Sequence, residues 1–194
     1  MTIELNKSAE EEKDNSFANE LMETRTIIIS GSVDGKLADK VIKQLLVLEK
    51  KDPKKKIIIF VNSPGGEVYS GFAIYDMIKM ISCPIVTVVM GLAASMGSIL
   101  SLAGDDGKRY AFPNSKIMIH QPLLAGAEGQ TTDLEIHSKN IVKTRKEIAG
   151  LYASVTGKSS EDILKDIDRD HWLSAKEAVK YGLIDKIITK RSQL

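Results

Sequence analysis

The stretch Ile57-Ile58-Ile59-Phe60-Val61-Asn62-Ser63-Pro64-Gly65-Gly66 decides the fold. Its first five residues are all apolar and four of them are β-branched, the signature of a strand covered on both faces. The proline and paired glycines that follow read as a turn. Beyond them, Val68–Ile81 carries helical spacing, and Pro84–Met90 is a second apolar strand. Strand, turn, helix, strand is the repeating unit of a parallel sheet, whose crossovers are helices.

The same alternation extends outward. Upstream, Thr26-Ile27-Ile28-Ile29-Ser30 is a strand ending at Gly31. Leu37, Ala38, Val41, Ile42, Leu45, Leu46 and Leu48 then follow helical spacing until Pro53 closes the segment. Downstream, the Gly91–Gly97 segment leads into a small-residue helix through Ala103, and Lys116–His120 is a further short strand. Leu134, Ile136, Ile141, Ile148, Leu151 and Val155 predict a long amphipathic helix over Thr131–Thr156, stopped at Gly157. Two short helices and the strand Lys186–Thr189 finish the chain. The units recur roughly every 25–30 residues, which predicts an α/β fold with a parallel sheet core and flanking helices.

Composition agrees with one globular unit. The 194 residues are 43% hydrophobic, 27% charged and 5% aromatic, which excludes a disordered chain and a collagen-like repeat. A net charge of +1 gives no basic field for nucleic acid, and the Lys50–Lys56 cluster lacks interleaved aromatic residues. It reads as a solvated helix-to-strand turn. The single Cys83 forms no internal bridge. No apolar run approaches the ~20 residues that span a bilayer, so no membrane role is expected. Residues 1–20 hold six acidic and two basic side chains and are read as a mobile segment. The N-terminus lacks the basic and apolar regions of a signal peptide, so the expected location is cytoplasmic.

Three features bear on chemistry. In Ala93-Ala94-Ser95-Met96-Gly97, small residues flank a serine where a buried strand turns into a helix. That context lifts a nucleophilic hydroxyl clear of a sheet, although a serine there also serves as an ordinary helix cap. Asn62-Ser63-Pro64-Gly65-Gly66 places two glycines just past a strand. Their N–H groups can face a developing oxyanion, or the segment is a plain turn. It lacks the spacing of a nucleotide-binding loop. His120 ends an apolar strand, where α/β sheets open onto clefts. His137 falls within the long helix, and His171 could pair with Asp168 or Asp170. No spacing suggests a metal site. A catalytic histidine needs an orienting carboxylate, and Asp166, Asp168 and Asp170 are three candidates that spacing leaves open.

Taken in order, these segments resemble the proteolytic subunit of the Clp protease, the ClpP family of serine peptidases. The matching pieces are residues 62–66, 91–98, 107–122, 129–137 and 168–185. The resemblance implies a ClpP/crotonase-like fold with a protruding handle helix, about 124–157, in a single domain over 21–194 preceded by an axial N-terminal segment. It implies a catalytic triad of Ser95, His120 and Asp170, with the backbone N–H groups of Gly66 and Met96 forming the oxyanion hole. Arg169 and Asp168 match positions that pair across the ring contact.

The resemblance further implies a self-compartmentalised endopeptidase of stacked heptameric rings, made with itself or a ClpP paralogue and cleaving unfolded polypeptides to short peptides. Because this chain has no P-loop, it would carry no cofactor. ATP would be used by a separate AAA+ unfoldase of the ClpX, ClpA or ClpC type. Two departures stand out: the segment between His120 and Gly129 is one residue longer than usual, and Ile58 stands where the unfoldase-docking pocket often has an aromatic residue. The alternative is a weakly active or dormant ring subunit that acts as scaffold for an active paralogue. A crotonase-like acyl-CoA enzyme would share the fold without needing Ser95 or His120.

Overall fold

The computed structural model describes residues 17, 20–123 and 129–194. The axial segment expected over 1–20 and the start of the expected handle, 124–128, therefore lie almost wholly outside the described residues. The strands are β1 (Thr26–Val33), β2 (Ile57–Gly66), β3 (Ile85–Ala94), β4 (Arg109–Ala111), β5 (Lys116–Ile119), β6 (His171–Ser174) and β7 (Lys186–Ile187). The helices are α1 (Gly35–Lys51), α2 (Val68–Met80), α3 (Met96–Ser101), α4 (Thr131–Thr156), α5 (Ser160–Asp166) and α6 (Ala175–Tyr181).

Three of the helices start where a side chain accepts from their free N–H groups. Asp34 caps α1 by accepting from the Leu37 N–H at 2.8 Å, and Lys50 and Lys51 complement the dipole at its far end. Along α1, Ala38, Val41, Leu45 and Leu48 are buried, a stripe at intervals of three and four that covers the sheet. Burying a leucine such as Leu45 stabilises by about 1.5–3 kcal/mol, and truncating it to alanine costs about 2–5 kcal/mol. Ser159 caps α5, and Ser174 and Glu177 form a reciprocal capping box at α6.

The sheet runs β1-β2-β3-β4-β7 in parallel, and a second wing branches from β3. Thr87–Val89 of β3 pair with β4, whereas Leu92–Ala94 pair with β5. The fork is held by Ser115, whose Oγ donates to the Val89 carbonyl at 2.8 Å and accepts from the Gly91 N–H at 3.3 Å. Asn62 Oδ1 takes the Leu92 N–H at 3.2 Å, joining β2 to the same bend.

Three expectations change. The sheet is mixed, not wholly parallel, because β6 runs antiparallel to β5. Strands β4 and β6 add to the expected elements: three or four residues are too few to display a period. The Asn62–Gly66 segment is no plain turn: it continues β2, with Ser32 facing Gly65 and Val33 facing Gly66. Ser63 is the cause. Its Oγ donates to the Gly31 carbonyl at 2.6 Å and accepts from the Gly65 N–H at 3.1 Å, clamping the segment against β1.

At the opposite side of the sheet, Arg109 and Asp185 form a forked ion pair through two guanidinium nitrogens, and the Arg109 N–H also donates to this carboxylate at 2.8 Å. The pair ties the chain entering β7 to β4, with side chains only 10% and 20% exposed. Among the described residues, no helix is long and apolar enough to cross a membrane.

Candidate active site

Strand β3 ends at Ala94 and α3 starts at Met96, so Ser95 alone makes the turn between them. It does so at φ +54° and ψ −125°, a conformation that costs a non-glycine residue of order 1–3 kcal/mol and persists only when its surroundings enforce it. They do. The Ser95 N–H donates to the Met118 carbonyl at 2.9 Å, and its own carbonyl accepts from the Ser98 N–H at 2.9 Å. The flanking glycines are small because space is missing. A Cβ on Gly65 would lie 2.6 Å from Ser95 Cβ, and one on Gly97 would lie 2.7 Å from the Ser63 carbonyl oxygen.

Ser95 is not an ordinary helix cap: its side chain makes no capping bond to α3. Instead Oγ lies 2.8 Å from His120 Nε2. His120 follows the last residue of β5, and its side chain is 14% exposed. On its other side, Nδ1 lies 3.1 Å from Asp170 Oδ1. Sheet register explains the meeting. Ile119 faces His171 across the antiparallel pair, so His120 and Asp170 emerge one step further along the two strands, at the same end of the sheet as Ser95. Because the carboxylate only accepts, Nδ1–H donates to Asp170, and Nε2 presents its lone pair to the serine hydroxyl.

The two other carboxylates of the run have other partners. Asp166 accepts from the Tyr181 hydroxyl at 2.6 Å. Asp168 Oδ1 lies 3.3 Å from Arg145 Nη2 on α4. The peptide before Asp170 is anchored as well: the Gln121 N–H donates to the Ile167 carbonyl at 2.6 Å, and Gln121 Nε2 donates to the Asp168 carbonyl at 2.7 Å. Arg169, expected to pair across the ring contact, has its side chain 92% exposed in the single subunit and lies 4.0 Å from Asp168 of the same chain. His171, instead of the expected aspartate, has Tyr181 as its neighbour and packs edge-on against that ring.

Of the two backbone positions expected to bind an oxyanion, Met96 directly follows Ser95, and Gly66 follows Gly65, which packs against Ser95. Met96 opens α3, and the missing side chain of Gly65 leaves its amide uncovered: a Cβ there would sit 2.9 Å from Met96 N. Gly66 ends β2 beside Val33 and is held at φ +152°. A groove of about 360 Å³ runs between the start of α2 and α4, lined by Val68, Tyr69, Leu123, His137, Asn140 and Thr144. Its lining combines the apolar Val68 and Leu123 with four side chains that can hydrogen-bond, Tyr69, His137, Asn140 and Thr144.

A second, more apolar cavity of about 390 Å³ lies across the sheet, lined by Ile28, Ile58, Phe60, Met90, Phe112 and Ile188 among others. Among the described residues no group of three His, Cys, Asp or Glu side chains could hold a metal ion. Sequence reasoning missed Tyr152, Ser98, Arg145 and Tyr181, which surround the site from behind. Only Tyr152 left a trace, lying four residues beyond Ile148 on the buried stripe of α4.

A serine in a strained strand-to-helix turn, bonded to a histidine that is bonded to an aspartate, defines a serine hydrolase. The Clp protease family matches over residues 8–191, and the chain belongs to that family. It is 51% identical over 175 residues to the ATP-dependent Clp protease proteolytic subunit 1 of Protochlamydia amoebophila, covering 90% of this chain and 85% of that one. It is likewise 51% identical over 169 residues to the subunit 1 of Chlamydia trachomatis, covering 87% and 88%. The proteolytic subunit of Ligilactobacillus salivarius is 44% identical over 190 residues, 98% of this chain and 96% of that one. The chain is a serine endopeptidase of this family, and its α/β fold is consistent with the ClpP fold.

Proposed function

We propose that Ser95 is the nucleophile, His120 the general base and then acid, and Asp170 the group that orients the imidazole. The observation that carries this is the unbroken contact from Ser95 Oγ to His120 Nε2 at 2.8 Å and from His120 Nδ1 to Asp170 at 3.1 Å. Ser95 Oγ attacks the scissile carbonyl as its proton passes to His120 Nε2, and Asp170 stabilises the resulting imidazolium. The N–H groups of Gly66 and Met96 take the oxyanion, each contributing roughly 3–4 kcal/mol of transition-state stabilisation. His120 then protonates the departing amine. Water, deprotonated by the same nitrogen, hydrolyses the acyl-enzyme and returns the serine.

The substrate is an unfolded polypeptide lying extended in the groove between α2 and α4. The peptidase domain spans 21–194, and its subunits stack as heptameric rings through the α4 handle. The exposed apolar side chains Leu134, Ile136 and Val142 on α4 support that role. The relatives' names include the words ATP-dependent, and the ATP is consumed by a separate AAA+ unfoldase in the cytoplasm. The apolar cavity around Phe60 and Phe112 suits an apolar side chain from that partner.

The test is reaction with a fluorophosphonate followed by peptide mass mapping. A single adduct on Ser95, absent from Ser95→Ala and not formed when the protein is denatured before the reagent is added, is the expected result. Labelling at another serine would overturn the assignment.

A further inference from the structure

Behind the nucleophile lies a buried chain of hydroxyls that the reaction itself does not use. Ser98 Oγ donates to the Ser95 carbonyl at 2.6 Å. The same Oγ lies 2.6 Å from the Tyr152 hydroxyl on α4. A carbonyl only accepts, so the single Ser98 proton goes to Ser95, and Tyr152 must donate to Ser98. Ser98 is fully buried and Tyr152 is 1% exposed, so no water competes for either group. Burial pushes the Tyr152 pKa upward, which keeps the hydroxyl a donor at every working pH. Within such a low-dielectric chain each bond polarises the next.

The terminus of that chain matters because of peptide planarity. The Ser95 carbonyl and the Met96 N–H belong to one rigid trans peptide and point in opposite directions. Whatever pins the carbonyl oxygen therefore aims the N–H. The residue bearing that carbonyl sits at φ +54°, where relaxation would rotate this peptide. Tyr152 is rooted in the 26-residue α4, a far stiffer support than the six-residue α3 that carries Ser98.

We infer that Tyr152 is a positioning residue for peptide hydrolysis, aiming the Met96 oxyanion donor through Ser98 and the Ser95 carbonyl. The inference rests on Ser95 being the nucleophile and adds to it a residue that touches neither substrate nor triad. Tyr152→Phe keeps the ring and its packing and removes only the terminal donor.

Peptide cleavage and inhibition by a peptide boronate, whose tetrahedral serine adduct places an oxygen in the oxyanion hole, test this on the intact assembly. Tyr152→Phe is expected to lower kcat about tenfold, a fraction of the roughly 10²–10³-fold lost when an oxyanion donor is deleted. KM should stay within about twofold, and boronate affinity should weaken in step with kcat. Ser98→Ala breaks the chain from the other side, and the double variant should be no worse than Ser98→Ala alone. A Tyr152→Phe enzyme with wild-type kcat and boronate affinity overturns the inference, as does a loss confined to thermal stability. Additive losses in the double variant overturn the transmission through Ser98. If wild-type and Ser95→Ala proteins cleave equally, the nucleophile assignment itself falls, and the positioning role with it.

Discussion

The Tyr181 hydroxyl donates to Asp166 Oδ2 at 2.6 Å, which removes one carboxylate from the run of three that precedes β6. Burial first, and then the hydrogen bond to that carboxylate, push the Tyr181 pKa upward, so the phenol stays a donor. Asp166 and Asp170 differ by one turn of chain and have separate tasks. Asp170→Asn should reduce kcat by about 10³–10⁴-fold, because an amide favours the wrong imidazole tautomer. Asp166→Asn should leave kcat within a few-fold and instead lower stability by about 1.5–3 kcal/mol, the worth of a hydrogen bond to a charged group. Steady-state kinetics beside thermal melts separate the two, and a rate collapse in Asp166→Asn alone would reverse the roles.

Gly97→Ala places a methyl 2.7 Å from the Ser63 carbonyl oxygen, a backbone atom that cannot swing aside. Either α3 lifts or β2 yields, and both disturb the turn at Ser95. Expected is a loss of fluorophosphonate labelling of at least tenfold, out of proportion to any shift in melting temperature. Unchanged labelling would mean that the packing there is looser than the geometry states.

The Arg109–Asp185 pair predicts an asymmetric stability response. Asp185→Ala strands a guanidinium that is 10% exposed, at a cost of about 3–5 kcal/mol. Replacing both partners, as Arg109→Met with Asp185→Leu, should recover the part of that loss due to the stranded guanidinium, while the backbone N–H of residue 109 lacks its carboxylate acceptor in both variants. Denaturant titrations of the single and double variants give the comparison.

Acid should act through the α6 capping box. The hydroxyl and amide of Ser174 hold the Glu177 carboxyl below its ordinary value of 4.5. A carboxyl whose pKa falls on folding stabilises above its unfolded pKa, and that contribution fades as pH drops through the folded value. The melting-temperature gap between wild type and Glu177→Ala should be constant near neutrality and close below about pH 4.5. A gap that persists in strong acid would assign the loss to packing.

Much of this molecule is readable from residue order alone. Long strands and helices announce themselves, and α4 has the bounds that its periodicity predicts, Thr131–Thr156. Ser95 and His120 stand out because each ends an apolar strand. Asp170 does not, because choosing among three aspartates depends on Tyr181, 15 residues from Asp166, and on Arg145, 23 residues from Asp168. No local pattern encodes such partners. The extended course of Asn62–Gly66 was hidden for the same reason, since it follows from a hydroxyl reaching a carbonyl 32 residues upstream. Strand β6 is hidden by brevity, and its antiparallel direction is decided by what it docks against.

That late strand also sets an order of events during synthesis. Ser95 and His120 stand 25 residues apart, whereas His120 and Asp170 are separated by 50, with the whole of α4 and α5 between them. A chain emerging from the ribosome at about 5–20 residues per second waits several seconds after His120 before Asp170 exists. Until β6 docks along β5, the histidine has no acceptor for its Nδ1 proton. With the proposed triad, the emerging chain lacks its orienting carboxylate for most of its own translation, and the site is complete only once β6, the penultimate strand in sequence, docks on β5.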